Sequence, residues 1–188
     1  MPAEAPSFEA ASLDLLRPTC GRHLDSIMPL LAPLPLTALD TLTLADLLKL
    51  SDKARDEHLT VVLGWLFATL NEGSVCLKLD PLSLGETCHP EQAEASGEHL
   101  RAFIEGVNTG DYLGLVDDAG ALSGAPLVRV KGQAESGRPD LLYFQRFYQH
   151  EARLTSCLER FLDGGTAPLC DPEKIETLVA DLWRPERV

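Results

Sequence analysis

The apolar positions fall into helical stripes separated by a few short alternating runs. The densest run is Leu141 to Leu162, LLYFQRFYQHEARLTSCLERFL, and its period changes midway. Leu141 to Gln145 reads as a strand following a turn-rich stretch. From Arg146 the spacing is helical, with Phe147, Leu154, Leu158 and Phe161 on one face and Glu151 interrupting that stripe. A strand feeding an aromatic amphipathic helix is expected to nucleate a core. A second helix is expected from Ser51 or Asp52 to about Asn71, its centre TVVLGWLFATL apolar almost all round and therefore central, with Gly73 as its stop.

The remaining elements follow from the same periods. Ser12 is expected to cap a short helix through Leu16, ended before Pro18. Pro29, Pro33 and Pro35 predict an extended or turn-rich segment whose leucines lie against the domain. Thr43 to Leu50 reads as a helix capped by Thr43. Ser74 to Leu79 reads as a short strand or extended segment, Pro81 to Gly97 as a loop or a loop holding a weak helix, and Glu98 to Val107 as a helix facing in with Leu100, Phe103, Ile104 and Val107. Tyr112 to Val116 reads as extended. Leu127 to Lys131 alternates as a half-buried strand and pairs with Leu141 to Gln145 in a hairpin. Asp171-Pro172 opens a last helix to about Trp183, with Ile175, Leu178, Val179 and Leu182 on its apolar side. The sum is an α+β fold, mainly helical, with a small antiparallel hairpin or sheet. Residues 1–42 are expected as a proline-rich extension packed on a domain spanning 43–188.

Composition narrows the functional classes. The net charge is −13, from 16 basic and 29 acidic residues. Tight gripping of a phosphate backbone needs clustered Lys and Arg, so direct nucleic-acid binding is disfavoured. No run of about eighteen apolar residues predicts a transmembrane helix, and the N-terminus carries acids where a signal peptide carries positive charge. A cytoplasmic protein with reduced thiols is expected from its five cysteines, which form no tight framework.

Candidate chemistry is sparse. No G-x-x-x-x-G-K-S/T and no G-x-G-x-x-G occurs, and Gly164-Gly165-Thr166 lacks the lysine, so nucleotide hydrolysis by this chain is not expected. Cys20 and His23, with Cys88 and His89, could furnish a Cys2His2 zinc set, although adjacent Cys-His is awkward for joint coordination. Ordinary loop residues explain them more simply, and no metal or other cofactor is expected. Cys157 and Cys76 read as small hydrophobes rather than nucleophiles. Glu151 has two readings. Its carboxylate turns to solvent or pairs with Arg146 or Arg153, or it forms a buried or interfacial ion pair. Arg146 and Tyr148 are residue types that anchor interfaces.

Leu141 to Leu154 resembles the segment of strand, basic-aromatic pair and Tyr-x-x-Glu found in RecD, the alpha subunit of exodeoxyribonuclease V. Val61 to Leu79 resembles the helix, Glu-Gly turn and V-C-L strand that precede it there. PLVRV and IETLVADLWRP fall in the same order, so the similarity spans about Leu44 to Pro185. The resemblance implies the N-terminal, non-catalytic docking domain of that subunit. In the family it holds an ATP-driven 5′-to-3′ DNA helicase motor against RecC within RecBCD, for double-strand-break repair and homologous recombination. The chain stops at Val188, where the family's Walker A region is expected to begin, so it is expected to represent this domain without the motor. The implied partners are RecC-like and RecB-like subunits, with DNA reached only through the complex. The implied partner-binding residues are Phe144, Arg146, Tyr148, Glu151 and Arg153.

Overall fold

The computed structural model describes residues 13–84, 90–120, 124–133 and 137–163. A 3-10 turn at Asp14–Leu16 leads into α1 (Arg17–Cys20), α2 (His23–Leu31), α3 (Ala38–Leu50) and α4 (Glu57–Asn71). There follow β1 (Leu77–Lys78), α5 (Pro81–Leu84), α6 (Pro90–Thr109), β2 (Val116–Asp118), β3 (Leu127–Val130), β4 (Leu141–Phe144) and α7 (Gln145–Asp163). The fold is α+β and mainly helical, as its periodicities predict. The chain divides into two units, Met1–Tyr148 and Gln149–Val188. No helix among the described residues is long and apolar enough to cross a membrane.

Helix α4 is the centre of the first unit. Every residue from Leu59 to Ala68 is buried, and α2, α3, α6 and β1 pack around it. Leu24, Ile27 and Leu31 approach from α2, Leu44 and Leu48 come from α3, and Leu100 and Phe103 from α6. Gly64 is what lets α2 come so close, since a Cβ there would stand 2.5 Å from Leu31 Cδ2. A mid-helix glycine is otherwise unfavourable by about 1 kcal/mol. Here it is retained for packing.

Two helix starts lie elsewhere than the sequence suggests. Thr37, not Thr43, caps α3. Its Oγ1 accepts from the Asp40 N–H at 3.2 Å, while Asp40 Oδ2 accepts from the Thr37 N–H at 2.8 Å. Thr43 instead donates its hydroxyl to the Leu39 carbonyl inside the helix. Likewise Asp56, not Ser51 or Asp52, caps α4 by accepting from Leu59 N–H at 2.9 Å. Asp52 lies in the turn between the helices at φ 55°.

The proline-rich stretch is helical only through Leu31; residues 32–36 form turns and irregular chain, as the turn-rich reading expects. Pro29 sits inside α2. A proline in a helix interior costs roughly 3 kcal/mol. Burying Leu24, Ile27, Leu30 and Leu31, each contributing about 1.5–3 kcal/mol, outweighs it. Leu34 and Leu36 are buried as well, so this early stretch belongs to the same core as α4. Pro18 opens α1 rather than ending a helix. Pro81–Leu84 and the first turns of α6 also replace most of the expected loop.

The sheet runs in the order β1-β4-β3-β2. β4 is central and antiparallel to both neighbours, with Leu77 opposite Leu142 and Val128 opposite Tyr143. The expected hairpin is therefore present. The sheet is mixed rather than purely antiparallel, because β2 pairs parallel to β3 and starts at Val116, where the extended run was expected to end. Gly132 closes the hairpin turn: its N–H donates to Asp140 Oδ1 at 2.7 Å, and a Cβ would overlap the carbonyls of Arg138 and Pro139.

The aromatic helix departs furthest from expectation. Helix α7 leaves β4 without a loop, and none of its residues is buried. Phe147 is 37% exposed, Leu158 55% and Phe161 69%. It does not lie in the core; α4 does. Amphipathic spacing states that a face seeks apolar cover, not which surface provides it. The last expected helix, from Asp171-Pro172 to Trp183, lies outside the described residues.

Candidate functional site

Among the described residues, three places combine exposed or polar groups with a defined geometry: the face of α7, a polar cleft between α4 and α6, and a buried arginine in the sheet.

On α7, seven-residue spacing lays out two parallel stripes. Phe147, Leu154 and Phe161 form one, joined by Leu158, and Arg146, Arg153 and Arg160 run beside it. The five residues assigned to partner binding divide in two groups. Arg146, Glu151 and Arg153 are exposed. Phe144 and Tyr148 turn back onto the sheet unit: Phe144 packs 5.0 Å from the Phe67 ring, and Tyr148 meets Tyr143 edge-on at 5.9 Å. Glu151 is solvated, and among the described residues it forms no ion pair with Arg146 or Arg153. Its exposure excludes the buried ion pair and is shared by the solvated and the interfacial readings. Phe147 and Arg146 stand exposed side by side where α7 begins.

The cleft encloses about 360 Å3, and its lining includes Lys53, Asp56, His58, Glu105, Asp111 and Tyr112. Asp56 holds its floor. One carboxylate oxygen caps α4, and the other accepts from Tyr112 Oη at 2.9 Å. Gly106 makes room for that ring, since a Cβ would meet Tyr112 Cε2 at 2.6 Å. Lys53 Nζ lies 5.5 Å from the ring centroid. Burial, then the Asp56 carboxylate, push the phenol far above its ordinary range, so Tyr112 keeps its proton and serves as a donor.

Beside it, His58 and His99 bring their Nδ1 atoms to 2.9 Å. One Nδ1 must carry the hydrogen and the other the lone pair. Burial and then the neighbouring His58 push His99 below its ordinary value. Glu57 accepts from Ser26 Oγ at 2.8 Å and contacts His23 Nδ1 at 3.2 Å. The Ser26 hydrogen bond, with a smaller contribution from His23, holds its carboxyl below the usual range against an opposing effect of burial. These groups tie α2, α4 and α6 together. Tyr112 cannot act as a base with its proton held, whereas Thr109 in the same lining donates its hydroxyl to Asp111 Oδ2 at 2.8 Å.

The cysteines and the suggested zinc set separate. Cys20 ends α1 as a core residue, 2% exposed. Burial pushes its thiol up, opposed by a hydrogen bond with Thr60, which disfavours the thiolate that ligation or attack requires. His23 opens α2 beyond Gly21 and engages Glu57. Cys88 and His89 lie outside the described residues. Among the described residues no group of three or more His, Cys, Asp or Glu is placed to hold a metal ion. Cys157, expected beside the core, is exposed.

Arg129 is the charged residue that strand alternation conceals. It lies in β3 with 4% exposure. Nε donates to Asp118 Oδ1 at 2.8 Å, and Nη1 donates to Asn108 Oδ1 at 2.7 Å. Asp140 Oδ2 stands 3.9 Å away, and Lys131 Nζ reaches Asp118 Oδ2 at 2.7 Å. Arg129, then Lys131, hold the Asp118 carboxyl below its ordinary range. This network locks β2, β3, α6 and the hairpin turn, and all its partners are internal. The one signal in the sequence is an arginine among apolar strand residues with the pair Asp117-Asp118 upstream.

Compared with protein-family models, curated proteins and solved structures, the chain shows no significant match in any of the three.

Proposed function

We propose that this chain is a non-catalytic docking domain of a RecD-like exodeoxyribonuclease V alpha subunit, holding a 5′-to-3′ helicase motor to RecC-like and RecB-like subunits in double-strand-break repair. The observation that carries the reading is the start of α7. There Arg146 and Phe147 are exposed together on a helix with no buried residue. An aromatic beside an arginine on a solvent-facing helix is the composition of an interface anchor. The order of segments resembling RecD, from Leu44 to Pro185, supplies the partner. The acidic balance of −13 suits a docking body better than a phosphate clamp. DNA unwinding belongs to the motor, and no Walker A sequence is present in this chain.

The test is co-purification with the RecB and RecC subunits of the same organism, read by size-exclusion chromatography with light scattering. A stoichiometric complex is expected. Arg146→Ala and Phe147→Ala are each expected to weaken it by about tenfold or more, the range of an interface hot spot, with the melting temperature held. A folded chain that forms no complex overturns the reading. A complex indifferent to both substitutions removes α7 from the interface.

A further inference from the structure

His58 lies in the first turn of α4 and His99 in the middle of α6. Each precedes a fully buried leucine, Leu59 and Leu100, so the packing of α4 against α6 fixes where both imidazoles stand. Their Nδ1 atoms are 2.9 Å apart. The ring centroids are 4.9 Å apart and the ring planes are tilted by 51°. The two rings therefore converge at their Nδ1 ends. A hydrogen bond between them uses one N–H and one lone pair. When the donor ring carries that proton on Nε2 instead, both Nδ1 lone pairs face the same space, and no net proton is lost.

We propose that His58 and His99 form a two-armed site for a divalent transition-metal ion of tetragonal preference, Ni(II) or Cu(II), with water in the remaining positions. Bond length and donor separation select the ion. An imidazole nitrogen sits about 2.0–2.1 Å from a first-row divalent ion. Donors 2.9 Å apart then subtend about 90° at the metal, whereas a tetrahedral angle needs a separation of about 3.3 Å. Right angles belong to square-planar and octahedral coordination, which suits Cu(II) and Ni(II) rather than Zn(II).

The surroundings accept a cation. The N-terminus of α4 by itself opposes one, but Asp56 caps that end and Glu57 occupies its first turn. Glu98 adds a further carboxylate that acts on His99. Burial and the neighbouring His58 keep His99 neutral near neutral pH, and neutral imidazole is the ligating form. His58 is exposed, which gives the ion an entry path and leaves room for water. Among the described residues no third His, Cys, Asp or Glu joins the pair, so the site is open and exchangeable rather than structural.

Ni(II) is the probe, because it does not oxidise the exposed Cys157 thiol. Calorimetric titration of the full chain, near neutral pH in a non-chelating buffer, should show one equivalent bound and its removal by EDTA. His58→Gln and His99→Gln should each weaken that event about a hundredfold, because losing either arm forfeits the gain of a linked second ligand. The double variant should be little worse than either single one. Proton NMR of the parent gives a readout that needs no variant to fold: paramagnetic Ni(II) should broaden the imidazole signals of His58 and His99 together and ahead of the other histidines. Binding that the double variant retains in full, or that depends on only one of the two residues, would overturn the proposal. So would broadening that begins at other histidines. Zn(II) bound more tightly than Ni(II) would refute the right-angle geometry and the class of ion with it. No partner subunit enters this test, so its failure is separate from failure of the docking reading.

Discussion

Arg129 and Asp118 form a pair in which the two halves differ in burial, and the difference predicts an asymmetry. The Arg129 side chain is 5% exposed and that of Asp118 is 46% exposed. Replacing Asp118 by Ala strands a buried guanidinium with Asn108 and a carboxylate of Asp140 at 3.9 Å. A charge-assisted hydrogen bond is worth about 1.5–3 kcal/mol, and what remains compensates the cation incompletely. Asp118→Ala should therefore cost about 2–3 kcal/mol. Replacing Arg129 by Met removes the buried charge itself and keeps most of the aliphatic volume. Its loss of hydrogen bonds is offset by relief of a desolvation cost of several kcal/mol, and the abandoned Asp118 and Asp140 can reach water. Arg129→Met should cost about 1 kcal/mol or less by this reasoning. Urea unfolding of both variants, followed by circular dichroism with a shared slope, measures the difference. Acid adds a second readout. The folded pKa of Asp118 lies below its ordinary 3.8. The stability from that shift is present above 3.8 and lost as pH falls through the lower folded value. Arg129→Met should flatten this acid limb. A Met variant less stable than the Ala variant would refute the argument that burial of the cation dominates.

Two further outcomes are expected. Phe103, fully buried in α6, should cost about 3–5 kcal/mol on truncation to Ala, whereas Leu158→Ala should leave the unfolding midpoint of the first unit unchanged; equal losses in that unit's melting would place α7 in its core after all. His99 titrates below its ordinary 6.5 in the fold, so its contribution is complete above 6.5 and is lost as pH falls through the lower folded value. Urea midpoints at about pH 7.5 and about pH 5.5 should therefore diverge less in His99→Gln than in the parent, and an unchanged divergence would show that the His58–His99 contact carries no pH dependence.

Periodicity made the helices legible and left their ends and their cover open. The centre of α4 reads as buried because its apolar residues go all round, which only a central helix satisfies. Thr37 and Thr43 both precede leucine-rich stretches, and only the reciprocal bond with Asp40 separates cap from interior. Pro29 reads locally as a breaker, and four buried neighbours override it. For α7 the period is right and the inference from it was not, since a stripe of Phe147, Leu154, Leu158 and Phe161 is the same whether the chain's first unit, its last residues or a partner covers it. The pair of His58 with His99 and the bond from Tyr112 to Asp56 join residues far apart in sequence, where no local pattern reports on them. The pairing suggested by Cys20 and His23 is local, yet Gly21 at φ 59° separates the two helices that carry them.

The position of β4 in the sheet also bears on how the protein is made. The strand that bonds to both β1 and β3 is the last of the four to leave the ribosome. α1 to α4 and β1 are synthesised well before it, so a helical cluster can gather while the sheet is limited to the β2–β3 pair. Until Leu141 to Phe144 emerge, β1 and β3 each present an unpaired edge, the kind of exposed strand that invites mispairing during synthesis. The slow event in folding should then be the insertion of one four-residue strand between two waiting ones, a non-local closure that depends on the chain having been completed through α7's first turn.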